Sequence, residues 1–228
     1  MLGKCDENKL IENIARYAIG RNKNNFDYLY LAKLLAAIES ASYYQENMLL
    51  SKAVVGWKNI INDAVAAVTI DGLFLEFGVA SGRTINHIAS KIKTKVYGFD
   101  SFEGLPETWR TGFKKGTFVG KIPDVAENVE LIVGMFEVTL PYFAMNTTEN
   151  VTFLHVDCDL YSSAKTIFDN LEGKIVPGTV ILFDEYLNYP GWKFGEYKAF
   201  HEFIKSAGLS YEYRSFVPDH QQVCVIIK

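Results

Sequence analysis

The chain has 228 residues with 23 basic and 27 acidic side chains, so its formal net charge is −4. A chain of this length can bury a full hydrophobic core without disulfide or metal support. Its three cysteines have neither CxxC spacing nor neighbouring histidines, which argues against a disulfide framework and a zinc site. The polar N-terminus is unlike a secretory signal, no apolar run is long enough to cross a membrane, and no basic excess indicates nucleic-acid binding. We therefore expect a cytoplasmic protein with no nucleic-acid or membrane partner.

The first seventy residues have the spacing of amphipathic helices. Apolar residues recur every three or four positions in three separate stretches. The three stripes are Leu10, Ile11, Ile14 and Ala18; Leu31, Leu34, Leu35 and Ile38; and Trp57, Ile60, Ile61, Ala64, Val65 and Val68. This pattern predicts a helical N-terminal extension over residues 1–70 and a second domain over residues 71–228. The extension would contact a substrate or a second copy of the chain in a homo-oligomer.

From Leu73 onward, short apolar runs alternate with helical stripes, which is typical of a parallel sheet with crossover helices. The predicted strands are LFLEF from Leu73, VYGF from Val96, VELIV from Val129, VTFLHV from Val151 and TVILF from Thr179. The helical stripes are Ile85, Ile88, Ala89 and Ile92; Leu160, Ala164, Ile167, Phe168 and Leu171; and Tyr197, Phe200, Ile204 and Ala207. The last two runs, LSYEYRSF and QVCVII, have no helix between them and predict an antiparallel pair.

A turn with two glycines, Gly78 and Gly82, follows the first predicted strand. Glycines at such a turn let the backbone approach a ligand, and the N-terminus of the following helix offers free N–H groups. The second strand ends at Asp100, whose carboxylate can accept hydrogen bonds from both hydroxyls of a ribose. Together these features predict a pocket for an adenosine-containing ligand. The alternative is a tight turn with a surface aspartate.

Four carboxylates follow the fourth and fifth strands: Asp157, Asp159, Asp184 and Glu185. Because the carboxyl ends of neighbouring parallel strands meet at one edge of a sheet, we expect these side chains to converge. Clustered carboxylates are costly unless a cation or protons offset their charge. Oxygen ligands without histidine or thiolate favour Mg²⁺, Mn²⁺ or Ca²⁺ over zinc. The alternative is that individual acids only cap the helices that follow them.

These motifs together resemble the class I S-adenosylmethionine-dependent methyltransferases, and within them the macrocin O-methyltransferase family, which includes antibiotic-sugar tailoring enzymes. The resemblance extends from about Gly72 to the C-terminus. Its motifs are GLFLEFGVASGRT, YGFDSFEGLP, GMFEVTLP, VDCDLYSSAK, ILFDEY and the closing strand pair. It implies a Rossmann-like three-layer α/β sandwich with a seven-stranded, mostly parallel sheet and an antiparallel last strand. Residues 71–228 would then be the catalytic domain that binds S-adenosylmethionine.

The resemblance also implies roles for particular residues. Those expected to bind S-adenosylmethionine are Glu76, Gly78, Ser81, Gly82, Thr84, Asp100, Ser101, Gly134 and Phe136. Those expected to hold a divalent metal, usually magnesium, are Asp157, Asp184 and Glu185. Asp159 resembles the residue proposed as general base, so the catalytic pair would be Asp159 and Asp157. Family members commonly have two aspartates where this chain has Asp184 and Glu185, and the longer Glu185 side chain departs from that pattern.

The expected reaction is methylation of a small-molecule hydroxyl, on a sugar or a glycoside. A metal would lower the pKa of that hydroxyl, and Asp159 would remove its proton. The alternatives are a phenolic or catechol-like acceptor and a catalytically inert module that binds S-adenosylmethionine. An NAD-dependent oxidoreductase would share the sheet, and Tyr161 and Lys165 have the spacing of a hydride-site pair. However, the chain lacks the G-x-G-x-x-G fingerprint that such an enzyme needs.

The segment from Ser101 to Asn128 has no clear periodicity, and loops of this length in compact domains are usually lids or disordered. We expect a lid over the acceptor. Its basic residues, which would meet a phosphate or face solvent, are Arg110, Lys114, Lys115 and Lys121. The aromatic residues that would pack on a ring or in the core are Phe102, Trp109, Phe113, Phe118, Tyr186, Tyr189 and Trp192. We expect a structural role for His155, solvent exposure for His220 and no catalytic role for Cys158.

Overall fold

The computed structural model describes residues 27–228 together with Lys9 and Asn13. The first predicted stripe, Leu10 to Ala18, lies outside the described residues. The described helices are α1 (Tyr28–Asn47), α2 (Trp57–Ala66), α3 (Arg83–Ala89), α4 (Phe136–Asn146), α5 (Tyr161–Leu171) and α6 (Glu196–Ala207). None of them is long and apolar enough to span a membrane. The strands are β1 (Lys52–Ala53), β2 (Leu73–Phe77), β3 (Val96–Asp100), β4 (Val129–Val133), β5 (Val151–Val156), β6 (Ile175–Phe183), β7 (Tyr211–Phe216) and β8 (Val223–Ile227).

The eight strands form one sheet in the order β1-β7-β8-β6-β5-β2-β3-β4. Neighbouring strands from β6 to β4 in this order run parallel, whereas β8 runs antiparallel to both β6 and β7. This arrangement confirms the predicted Rossmann-like α/β sheet with a reversed last strand. The eighth strand, β1, is an addition of two residues paired with β7. A two-residue segment has too little periodicity to be recognised in a sequence.

Helices cover both faces of the sheet and make a three-layer sandwich. Alternate residues of each strand point to opposite faces, so Phe74 packs with α2 and α3 while Leu75 packs with α4, α5 and α6. The stripes predicted for α2, α5 and α6 supply buried core residues, including Ile60, Ile167 and Phe200. The two hydrophobic layers therefore hold the carboxyl ends of the central strands in fixed positions.

Two helices differ from the predicted pattern. In α1 the buried residues are Ala36 and Ser40, whereas Leu35 of the predicted stripe is exposed. The helix α4 has no counterpart among the predicted stripes, and it contains Pro141. Proline lacks a backbone N–H and usually ends a helix, so this segment gave only a weak helical signal.

The segment before residue 71 is joined to the main sheet by an ion-pair cluster centred on Asp63. This aspartate lies on α2, and its side chain is 6% exposed. It accepts hydrogen bonds from Lys52 Nζ on β1 at 2.6 Å and from Arg214 Nε on β7 at 3.1 Å. One carboxylate therefore connects α2 with the two strands at this edge of the sheet.

Candidate functional site

A cavity of about 300 Å³ lies at the carboxyl ends of β2, β3, β5 and β6. It sits where the strand order reverses between β2 and β5, which is the usual ligand-binding position in an open α/β sheet. The predicted site residues that line it are Gly78, Asp100, Ser101, Gly134, Phe136, Asp157, Asp159, Asp184 and Glu185. Further lining residues come from the long segment after β3, among them Leu105 and Phe118. The structure thus brings the predicted adenosine pocket and the carboxylate cluster into one cavity.

The glycine turn after β2 packs backbone against backbone on the end of β5. Gly78 has a φ of +96°, and a Cβ at this position would lie 1.7 Å from the carbonyl oxygen of Asp157. Gly82, at the start of α3, has a φ of +77°, and a Cβ there would lie 3.1 Å from Cβ of Pro123. A side chain at Gly78 would separate β2 from β5, so glycine is required there for the site to assemble.

Asp100 is held by the backbone of this same turn. Its Oδ2 accepts hydrogen bonds from the N–H groups of Val79 at 2.9 Å and Ala80 at 2.8 Å. Its Oδ1 accepts from the N–H of Phe102 at 2.7 Å. Two carboxylate oxygens offer about four acceptor positions, so one remains after these three bonds. Asp100 therefore orients the turn and also presents an acceptor to the cavity that it lines.

Three predicted binding residues, Glu76, Ser81 and Thr84, are not among the side chains that line the cavity. Glu76 is fully buried beneath the turn. Its Oε1 accepts from the Thr84 hydroxyl at 2.9 Å, and its Oε2 lies 3.0 Å from Nδ1 of His155. Gly82 at the start of α3 is also absent from the lining, and Ser81 is exposed on the turn itself. Glu76 and Thr84 therefore support the turn through their buried hydrogen bond.

The carboxylate cluster is crowded and poorly solvated. Burial and the neighbouring Asp184 raise the pKa of Asp157 and of Glu185 well above their ordinary values. The same two causes raise the pKa of Asp159 to about 6, although Arg110 opposes the shift. Glu185 Oε2 is buried without a hydrogen-bond partner, while Asp184 Oδ1 accepts from Nε2 of Gln222. Such a cluster gains stability from protons or from a bound cation.

His155 takes part in this cluster in a way that the sequence did not indicate. One of its ring nitrogens and one oxygen each from Asp157 and Asp184 all lie within 4.8 Å of one another. Its Nδ1 bonds Glu76, as a structural histidine would, but its Nε2 is buried with no hydrogen-bond partner. The position of His155 within a strand predicts a structural role. The sequence does not show that the side chain lies beside the carboxylates of Asp157 and Asp184.

Glu196 is a further residue that sequence reasoning missed. It is the first residue of α6 and is fully buried. Its Oε1 accepts from the N–H of Cys158 at 3.1 Å, and its Oε2 accepts from the N–H of Glu185 at 3.3 Å. Burial raises the pKa of Glu196 to about 8. An acid in the first turn of a helix is ordinary in sequence, so nothing distinguished Glu196 from a surface residue.

The segment from Ser101 to Asn128 lies over one side of the cavity. Leu105 is buried, and its backbone exchanges hydrogen bonds with Gly116 and Thr117 at 2.9 and 2.8 Å. Phe118 is half exposed and lines the cavity. The exposed basic side chains are Lys114, Lys115 and Lys121. Of the aromatic residues predicted to pack on a ring or in the core, those with buried side chains are Phe102 in this segment and Tyr186, Tyr189 and Trp192 after β6.

Arg110 differs from the other basic residues of this segment because it is packed among aromatic rings. Its guanidinium carbon lies 3.8 Å from the ring centroid of Trp109 and 4.9 Å from that of Tyr189. Its Nε is buried without a hydrogen-bond partner. Its positive charge opposes the rise in the pKa of Asp159. Arg110 thus joins the segment to the carboxylate side of the cavity.

Comparisons with known proteins agree with this geometry. Residues 75–186, just under half of the chain, match the model of a family described as a methyltransferase domain. No curated protein matches the sequence. The structure of CalS11, a calicheamicin methyltransferase also described as a TDP-rhamnose 3'-O-methyltransferase, is 21% identical. It has a TM-score of 0.61, and the match covers 74% of this chain and 77% of that chain.

Two further solved structures share the fold. The O-methyltransferase NovP is 21% identical with a TM-score of 0.57, covering 74% of this chain and 78% of that chain. The mycinamycin-pathway methyltransferase MycE, in complex with Mg and SAH, is 13% identical with a TM-score of 0.50. That match covers 74% of this chain and 48% of MycE.

The fold places a ligand cavity at the switch point of a seven-stranded methyltransferase sheet with one added strand, and the family match falls on the strands that build this cavity. Residues 75–186 are therefore similar to a methyltransferase domain, and the fold of the chain agrees with that similarity.

Proposed function

We propose that the protein is a cation-dependent O-methyltransferase whose acceptor is a hydroxyl group of a sugar or a glycoside. The observation that carries this proposal is the position of Asp157, Asp159, Asp184 and Glu185 in the same cavity as Gly78 and Asp100. In this proposal the side of the cavity with Gly78 and Asp100 would bind the cofactor, and the acidic side would bind the hydroxyl substrate. We also propose that the protein belongs to the macrocin O-methyltransferase family.

The proposed cofactor contacts follow from the lining of the cavity. Backbone groups of the Gly78 turn would approach the methionine part, and Asp100 would accept hydrogen bonds from the ribose hydroxyls. Ser101, Gly134 and Phe136 would surround the adenine. Ser81 and Gly82, which belong to this turn, would lie beside the methionine part and the ribose, and Glu76 and Thr84 would hold the turn in place. When bound, S-adenosylmethionine supplies an activated methyl group.

The carboxylates fit a divalent cation, magnesium or another hard ion, as the second cofactor. Asp157 and Asp184 would hold it, because one oxygen of each lies within 4.8 Å of the other. Glu185 would be the third carboxylate ligand, since its Oε2 is buried without a hydrogen-bond partner. A bound cation lowers the pKa of a hydroxyl that it coordinates. Among this chain's residues, Asp159 would then accept the hydroxyl proton, and Asp157 would orient the acceptor.

Three considerations favour a sugar acceptor. CalS11 is described as a TDP-rhamnose 3'-O-methyltransferase, and the fold of this chain is similar to it. The half-exposed Phe118 ring at the cavity could stack on a sugar ring. A sugar with neighbouring hydroxyls also offers two oxygens to one cation. A phenolic or catechol-like acceptor uses the same chemistry and is the second candidate.

The proposal is tested by calorimetry and turnover. S-adenosylmethionine and S-adenosylhomocysteine are titrated into the protein with and without MgCl₂, and methyl transfer is then screened on nucleotide sugars, glycosides and catechols. Asp157→Asn should bind the cofactor but lose cation-dependent turnover, while Asp169→Asn, an exposed site on α5, should behave as wild type. Cofactor binding without turnover on any acceptor would favour an inert binding module. Full cation-dependent turnover of Asp157→Asn would overturn the assignment of Asp157 as a ligand of the cation.

The roles proposed for the rest of the chain are separate from this test. Residues 1–70 would provide substrate contacts or a homo-oligomer interface, and residues 71–228 the catalytic domain. A cytoplasmic location with no nucleic-acid or membrane partner stays a prediction from the sequence.

A further inference from the structure

The imidazole of His155 lies against the carboxylate cluster and has one nitrogen with no partner. We infer that His155 is a nitrogen ligand of the cation held by Asp157 and Asp184, and that the site consequently takes a transition-metal ion such as Mn²⁺, Co²⁺ or Zn²⁺ in preference to Mg²⁺. This inference rests on the cation site of the proposed function, and it names the chemical class of ion that the site selects.

The position of His155 follows from the sheet. His155 and Asp157 are two residues apart at the end of β5, so their side chains leave the strand on the same face. On the neighbouring strand β2, Glu76 is the register partner of His155. A ring nitrogen of His155 therefore lies within 4.8 Å of the Asp157 and Asp184 oxygens. Within the described part of the chain, His155, Asp157 and Asp184 thus form a group of three side chains that could hold a metal ion.

The hydrogen bond to Glu76 determines which nitrogen is available. Nδ1 of His155 lies 3.0 Å from Oε2 of Glu76, which is the geometry for an Nδ1–H group that donates to the carboxylate. In a neutral ring of that tautomer Nε2 carries the lone pair, and Nε2 has no hydrogen-bond partner. A carboxylate that orients a histidine through one nitrogen while the other binds a metal is a recurrent arrangement in metal sites.

Burial makes an unpartnered Nε2 difficult to explain otherwise. His155 is 0% exposed, so water does not reach the ring from the surface. Leaving a buried acceptor unpaired is costly, and a native site normally provides it with a partner. A cation held by His155 together with Asp157 and Asp184 would provide that partner.

The donor set decides the class of ion. Mg²⁺ prefers an all-oxygen octahedral shell and keeps several waters, whereas imidazole is a good ligand for the first-row transition metals. One imidazole with two or three carboxylates is therefore a mixed nitrogen and oxygen site. We expect Mn²⁺ and Co²⁺ to bind at least about tenfold more tightly than Mg²⁺.

The decisive experiment is pulsed electron paramagnetic resonance on the full chain loaded with Mn²⁺, without cofactor or acceptor. The expected spectrum shows modulation from a directly bound ¹⁴N nucleus, and this modulation changes to the ¹⁵N pattern when only histidine is ¹⁵N-labelled. Because labelling leaves the protein unaltered, the result does not depend on a variant that folds. A Mn²⁺ complex without nitrogen coupling would overturn the inference and leave cation-dependent methyl transfer intact.

Variants then assign the nitrogen to one histidine. His155→Gln should abolish the ¹⁴N signal and reduce the preference for Mn²⁺ over Mg²⁺, whereas His87→Gln should keep both. His87 is a suitable control because it lies on α3 and its Nε2 contacts Asn62, outside the cavity. Glu76→Gln should weaken Mn²⁺ binding by about tenfold or more while the nitrogen coupling remains. A nitrogen signal that persists in folded His155→Gln would contradict the assignment, and a failure to bind any divalent ion would overturn it together with the cation site.

Discussion

Glu196 accepts a hydrogen bond from the backbone N–H of Cys158, and with its other oxygen it accepts one from the N–H of Glu185. Cys158 lies between two cavity acids, Asp157 and Asp159, on the turn after β5, and Glu185 lies on the turn after β6. A single buried side chain on α6 thus ties together the two loops that carry the carboxylate cluster. This makes Glu196 a positioning residue for the site although it does not line the cavity.

The first prediction concerns this connection. In Glu196→Gln an amide N–H₂ replaces one acceptor, so one backbone N–H loses its partner, which should cost about 1–3 kcal/mol of unfolding free energy. Glu196→Ala leaves both N–H groups unpaired and should cost more. Urea unfolding measures the loss, and methyl transfer should decline in both variants. Lys205→Ala, an exposed change on the same helix, serves as the control. Equal stability of all three variants would contradict the role of Glu196.

The second prediction separates backbone strain from close contact. Gly78→Ala should destabilise the fold by more than about 3 kcal/mol, because the new Cβ would lie 1.7 Å from the Asp157 carbonyl oxygen at a φ of +96°. Gly191 has a φ of +86° with nothing within 4 Å of a Cβ. Gly191→Ala should therefore cost only the conformational strain, about 1 kcal/mol. Chemical denaturation of both variants makes the comparison, and similar losses would show that the contact with Asp157 is unimportant.

The third prediction concerns the proton acceptor. Asp159→Asn keeps the shape of the cavity but removes the basic oxygen, so the turnover number should fall by about 10² to 10⁴. Cofactor binding measured by calorimetry should change little, because Asp159 lies on the acidic side of the cavity. Rates are measured at saturating acceptor, so that a change in acceptor affinity does not hide the effect. Turnover within a few fold of wild type would exclude Asp159 as the general base.

The fourth prediction uses the Asp63 cluster and its pH dependence. Burial alone would raise the pKa of Asp63, but Lys52, Ser215 and Arg214 beside the carboxylate outweigh burial and lower the pKa below its ordinary value. An acid whose pKa is lower in the folded state stabilises the fold above its unfolded pKa, near 3.8, and this stabilisation is lost as the pH falls further. Since Lys52 and Arg214 are 61% and 42% exposed, solvent screening limits the contribution to about 1–2 kcal/mol.

Asp63→Asn should accordingly lower the unfolding free energy at pH 7, and its difference from wild type should shrink towards pH 3. The measurement is urea unfolding at several pH values. Glu130→Gln on β4, which removes a solvent-exposed ion pair with Lys95, should leave the stability unchanged at both ends of this range. A difference for Asp63→Asn that grows on acidification would have the wrong sign for this explanation.

Much of the site could be predicted because its residues follow strands. Asp100, Asp157 and Asp184 each stand at the end of an apolar run, and parallel strands present such ends at one edge. The local pattern therefore indicated both the acids and their convergence. The two-residue spacing of His155 from Asp157 likewise places both side chains on one face, but it does not show that the ring lies beside Asp184.

The sequence by itself determined the type of most elements, the faces that they bury and the acids at the strand ends, because periodicity and turn residues act over a few neighbouring positions. Only the tertiary structure decided which distant residues meet: Glu76 beside His155, and Glu196 against Cys158 and Glu185. These contacts depend on strand order, register and the docking of α6. Such features arise from packing between segments far apart in the chain, so no local pattern records them.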